Sequence, residues 1–307
     1  MGIYLGANAL GGGAGGGATL TGTTTYRALL IGGGGNGVFG PTYGAGGSGA
    51  GAFFATILPF FSDTTYNIAV AGGGGITSFE TAIGKFHAPA GGIGKRVGDG
   101  NAGASGGGGN SSNSAFRKGG MPNMYNAKGE YLGNPISLYQ NGSSNISYHY
   151  SYQWMKNPGL QTMGHPGGWA DSSYESGGGG GAGGAGQASV GNGAGGNGRT
   201  SDIITTANAT SASVGQVDGG EVWFGAGGYG GRLSVINTTK IGRGPGTGGG
   251  GQSSSYNPGG VSSGDSGCVI LKVPTTTDFT QTGANTYTDQ GMTAIIWTGA
   301  GTFQINS

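Results

Sequence analysis

The chain has 307 residues, and 80 of them are glycine, against an average usage of roughly 7%. Charged residues make up only 8%, with Lys and Arg totalling 13, Asp and Glu 12, and a formal net charge of +1. That balance argues against nucleic acid or an anionic membrane as primary partner, because both demand clustered positive charge.

Other classes fall to simple counts. No stretch approaches the ~18 consecutive apolar residues of a transmembrane helix. Cys268 is the single cysteine, so neither an intrachain disulfide framework nor a cysteine-based metal site is expected. The opening MGIYLGANAL has no basic n-region and no long apolar core, so no secretory leader is expected. Gly2 does not meet the myristoylation pattern, which wants Ser or Thr where Gly6 stands.

In chain order, residues 1–25 open with the short apolar segment Ile3-Tyr4-Leu5, read as an attachment segment for a larger assembly. Tyr26 to Ile31 is a strand candidate that stops at Gly32–Gly35. A glycine-rich run then leads into Ala52–Leu58, a turn with Pro59, Ser62 and Asp63, and Tyr66–Val70. Two β-rich segments around turn chemistry predict a hairpin, with glycine runs leaving both ends. A further run spans Gly91–Gly109, interrupted by Lys95, Arg96 and Asp99.

Between about 110 and 176 the long glycine runs vanish, and Tyr148, Tyr150, Tyr152, Trp154, Trp169 and Tyr174 stand among other aromatics. This region reads as a loop-rich insertion in a glycine-rich domain spanning 26–274. Glycine returns in 176–198, followed by strand candidates at Asp202–Thr205, Glu221–Phe224, Arg232–Ile236 and Ser266–Val273. The tail, 275–307, alternates apolar and polar residues and reads as a C-terminal β unit.

Residues 176–198 have no apolar side chains to display at a helix or strand period. Three readings are open, a disordered linker, which composition alone favours, collagen, and an ordered glycine lattice. Collagen is excluded, since Gly177–Gly181 are consecutive and no Gly-X-Y repeat follows. An ordered run must offset roughly 0.5–1 kcal/mol of extra entropy loss per glycine relative to Ala. Without side chains, that leaves main-chain hydrogen bonds, at about 0.5–1.5 kcal/mol net each, and weaker Cα–H···O contacts. Both become dense only where bare backbones lie side by side, as in extended threefold runs of the polyproline II kind. The expectation is a mainly β fold with little or no α-helix: polyglycine-like extended runs capped by short strands and hairpins. Irregular glycine-rich loops on a conventional β-domain are the alternative.

These landmarks, Ala28–Gly35, Gly46–Gly75, Gly177–Gly198, Glu221–Gly231 and Ser266–Val273, resemble the glycine-rich domain of bacteriophage tail-fibre and other virion structural proteins. Trp297–Phe303 is similar to the strand–Gly–strand unit that often accompanies such domains, and Ile3-Tyr4-Leu5-Gly6 to starts among phage structural proteins. The resemblance implies a virion protein, in a tail fibre or its tip rather than on the capsid surface, that binds the host. It implies homo-oligomerisation and other virion proteins as partners. A head fibre or capsid decoration protein is the second reading, and a cellular extracellular glycine-rich structural or ice-binding protein the third.

Enzymatic chemistry finds little support. GxGxxG matches such as that within Gly32–Gly37 arise by chance at this glycine content, and no helix or acidic partner completes a nucleotide site. His87, His149 and His165 have no metal-like spacing, and His165-Pro166 reads as a surface turn. No nucleophile elbow in a strand–helix context supports a Ser–His–Asp set. No enzyme activity, cofactor or metal is therefore expected. Recognition is assigned to Tyr148, Tyr150, Tyr152, Trp154, Trp169 and Tyr174, whose rings give stiff contact area with a polar handle. Host polysaccharide or protein is the ligand class, and a small aromatic core is the competing account of these rings.

Overall fold

A computed structural model describes residues 23–39, 45–96, 98–110, 117–126, 128–133, 161–170, 176–188, 193–231, 242, 244, 246–253 and 262–307. Its strands are β1 (Thr23–Ile31), β2 (Phe53–Phe61), β3 (Tyr66–Ala69), β4 (Thr77–Thr81), β5 (Gly84–Ala88), β6 (Met124–Tyr125) and β7 (Tyr131–Gly133). They continue with β8 (Gln161–Thr162), β9 (Arg199–Thr200), β10 (Gln216–Asp218), β11 (Glu221–Phe224), β12 (Cys268–Pro274), β13 (Phe279–Asp289) and β14 (Met292–Ile305). One short helix, α1 (Thr206–Ala212), precedes β10. The fold is mainly β with little helix, as its composition predicts.

Eight strands form one sheet in the order β2-β1-β12-β14-β3-β4-β5, with β13 paired to β14. The sheet rolls until it nearly closes, and Ser62, just past β2, bridges to Ile305 at the end of β14. Strand side chains alternate between faces, and here both faces are covered. Ala28, Leu30, Val269, Leu271, Ile295 and Trp297 point into the roll, with Phe60, Phe79 and Phe303 packed edge-to-face about them. Leu29, Ile31, Cys268, Ile270, Ala294 and Ile296 point outward into a second core, closed by Ile203, Ile204, Ala209, Val222 and Phe224. That double burial is why β1 and β12 read as continuous apolar runs.

Two expectations about strands are corrected. The segments around Pro59–Asp63 do not form a hairpin: β2 pairs with β1, whereas β3 pairs with β14 and β4. Pro59 lies inside β2, opposite Thr25, and is tolerated because β2 is the sheet's edge, where the missing N–H interrupts no second ladder. Asp202–Thr205 is not a strand. Thr205 caps α1 by accepting from the Asn208 amide (3.3 Å), and Ile203 and Ile204 turn into the outer core. Arg232–Ile236 lies outside the described residues, as do Ile3, Tyr4 and Leu5.

The glycine runs form an ordered lattice. Along 46–52, successive amides donate in turn to three neighbouring runs. Gly46, Gly49 and Ala52 donate to the carbonyls of Lys95, Gly92 and Pro89 (2.9, 2.7 and 2.9 Å). Gly47 and Ala50 donate to Gly177 and Gly180, and Ser48 and Gly51 to Gly251 and Gly248. The carbonyls repeat the pattern: those of Gly47 and Ala50 accept from Gly108 and Ser105, those of Gly49 and Ala52 from Gly35 and Gly32, and that of Ser48 from Gly228. A period of three residues is that of an extended threefold backbone, and at Gly46, Gly47, Gly49 and Gly51 a Cβ would meet a neighbouring carbonyl at under 3.0 Å. The run 177–182 is surrounded likewise, by 106–109, 225–228, 184–187, 47–50, 165–168 and 196.

The sheet and the lattice are continuous. Ile31 pairs with Phe53, and in the next step Gly32 donates to Ala52. The region 110–176, expected to emerge as a loop-rich insertion, is partly woven into the lattice. Gly120 donates to Gly107, Gly167 to Gly120, and Gly168 to Gly178. His165 is half-buried, with its main chain bonded to Gly181 and Gly106, and is not a surface turn. The tail contributes β13 and β14, and β14 is central to the same sheet as β1 and β12.

Candidate functional site

The lattice has two unlike ends. At one end its runs continue into β1, β2, β5, β11 and β12, so apolar side chains set its position. At the other end main chain and small polar side chains tie it off. Gly231 donates to Ala45, Gly230 to Gly193, and Gly193 to Ala188. Arg117 and Ala170 exchange amide bonds (3.0 and 2.9 Å), and Asn110 bridges to Ser176, whose hydroxyl donates to the Asn110 side chain. Ser253 donates to the Gly46 carbonyl (2.7 Å) and accepts from the Val38 amide (2.9 Å).

These residues bound the stretches 40–44, 111–116, 171–175, 189–192 and 254–261, which lie outside the described residues. In sequence those stretches are not lattice-like: they carry Tyr43, Phe116, Tyr174 and Tyr256 among Ser, Asn and Thr. Chain rich in Tyr, Ser, Asn and Gly is the composition of antibody paratopes, combining rigid aromatic contact with adaptable hydrogen bonding. Described residues at the far end thus flank each of these short stretches.

Of the residues singled out for recognition, the structure describes Trp169. It is half-buried beside Ala170, at this far end. Tyr174 belongs to the bounded stretch 171–175. Tyr148, Tyr150, Tyr152 and Trp154 fall in 134–160, outside the described residues, and that stretch is bounded elsewhere. Its flanks, β7 and β8, pair with β6 in a small sheet next to the main one. There Lys128 accepts from His87 of β5, and Met163 from Phe53 of β2. The described flanks of the recognition residues therefore divide between two ends of the lattice.

Sequence reasoning missed the polar fastening of the far end. Lys95, Arg96, Arg117 and Lys118 come to one side of it, where the Lys118 amide donates to Asp99 (2.8 Å) and the Asn110 amide side chain to the Arg96 carbonyl. The interruption of the glycine run at Lys95-Arg96 was the one available signal. Burial, and then Arg199, holds the His165 imidazole below its ordinary value. Burial pushes the Cys268 thiol up, removing it as a nucleophile. Among the described residues no group of three His, Cys, Asp or Glu could hold a metal ion, and no helix is long and apolar enough to cross a membrane.

No protein-family model, curated protein or solved structure matches this chain.

Proposed function

We propose that this chain is a bacteriophage virion structural protein, a component of a tail fibre or its tip, that binds the host surface. One observation carries the binding part: described residues at the far end of a rigid lattice flank the short stretches 40–44, 111–116, 171–175 and 254–261, each of which carries one aromatic residue, Tyr43, Phe116, Tyr174 and Tyr256. Mutually bonded backbones give a stiff support, and a stiff support lowers the ordering cost of whatever it presents. The virion part rests on the sequence resemblance. Host polysaccharide or protein is the ligand, other virion proteins and further copies of this chain are the partners, and no catalysis is involved.

The test is adsorption. Particles carrying Trp169→Ala with Tyr174→Ala should assemble and lose host adsorption, since an aromatic hot spot contributes ~2 kcal/mol or more and repeated copies amplify the loss. Tyr150→Ala with Trp154→Ala tests the stretch 134–160 separately, since its described flanks lie at the other end. If the second pair abolishes adsorption instead, recognition belongs to 134–160. If neither pair matters and particles are intact, a head-fibre or decoration role replaces this one.

A further inference from the structure

Where residues 202–208 rise from the outer face of the main sheet, they leave a cleft of about 190 Å³. Its floor is fixed by register. Lys272 of β12 lies opposite Ala294 of β14, and Ala294 opposite Tyr287 of β13, so the three share one face. Asp202 and Asn208 line the opposite wall, and Asp289 closes the end at the β13–β14 turn. The small Ala294 between two long side chains leaves the space. Tyr287 packs partly on the outer core, so its apolar carbon is already held in place.

Some polar side chains of the lining are engaged and others are not. Asp202 bonds Arg27 (2.6 Å) across the rim. The side chains of Lys272, Tyr287, Asn208 and Asp289 make no hydrogen bond among the described residues. An ionic ligand fits poorly, because carboxylates and an ammonium face the same small volume. An apolar one would desolvate these polar groups without replacing their hydrogen bonds to water. A neutral polyhydroxylated ring meets both requirements. Its hydroxyls donate to Asp202 and Asp289 and accept from Lys272 and Asn208, while its C–H face rests on Tyr287. We propose that this cleft binds one neutral pyranose unit. It lies toward the strand ends remote from the lattice, so the proposal does not rest on recognition at the far end.

Saturation-transfer NMR on the purified full chain, with the methyl glycosides of glucose, galactose, mannose and N-acetylglucosamine as probes, tests it directly. At least one glycoside should receive saturation, and its signal should fall severalfold in Lys272→Gln combined with Asp289→Asn. Both positions are only partly buried, and far-UV circular dichroism checks that the double variant keeps the fold. In the unsubstituted protein the same glycoside should shift the amide resonances of Thr205 and Ala294. Absence of transfer for all four probes overturns the proposal. So does transfer that survives the double substitution unchanged, or shifts that spare Thr205 and Ala294.

Discussion

At Gly180 a hydrogen stands where any other residue would place a carbon less than 3.0 Å from the His165 carbonyl oxygen, a separation real Cβ atoms essentially never show. Gly195 faces the Gly227 carbonyl in the same way. Gly180→Val or Gly195→Val must therefore push neighbouring backbones apart. Either should lower unfolding stability by more than ~2 kcal/mol, at the upper side of overpacking costs, as read from denaturant midpoints. An unchanged midpoint would mean that the neighbouring carbonyls step aside freely. His165 gives a residue-scale pH dependence. Its folded imidazole binds a proton less readily than the unfolded one, because burial and Arg199 both oppose the charge. The unfolded state therefore holds more protons between the two values, and stability falls as pH drops below the ordinary imidazole value. The loss stops once pH passes below the depressed folded value. His165→Gln should remove that contribution to the pH profile in equilibrium unfolding.

At the scale of elements, the sheet strands and α1 obey different signals. β1 and β12 were legible because double burial demands apolar residues at every position, so Leu29-Leu30-Ile31 and Val269-Ile270-Leu271 stand out without alternation. α1 was not legible. Ile203-Ile204-Thr205 has β-branched composition, and Thr205 reveals itself as a cap only once the chain turns. Thr205→Ala should cost about 1 kcal/mol, or less given the 3.3 Å bond, measured by chemical denaturation. The loss should leave β1 and β12 packed, because Ile203 and Ile204 are held by the outer core as well.

For the whole molecule, the lattice should behave as a folded core and not as a collection of loops. Amides such as Gly47 and Ala50 are buried and bonded to Gly177 and Gly180. Their hydrogen exchange should be as slow as that of Leu30 or Ile270 in the sheet, since both open only with the larger unit. Exchange at loop-like rates would detach the lattice from the cooperative core. The division of the recognition residues' flanks also belongs to this scale. Trp169 and the flanks of Tyr174 sit at the far end, whereas the flanks of Tyr148–Trp154 sit beside the main sheet. Their nearness in sequence says little about nearness in space.

Composition by itself determined the class of fold. With 80 glycines and few charges, an ordered chain must satisfy its main-chain groups largely with its own backbone, which pointed to a mainly β fold with little helix and left threefold runs and irregular glycine-rich loops as the two ways of doing so. Apolar density likewise marked β1, β11 and β12. Only the tertiary structure decided which run neighbours which, because glycines carry no side-chain code for a partner and any bare run can bond any other. The runs take their places from the strands that bracket them: Ile31 beside Phe53 puts Gly32 beside Ala52, and the three-residue period carries that register outward. The cleft at Lys272 and Tyr287 has the same origin, since strand register, invisible in a chain read in order, set those two side chains either side of Ala294.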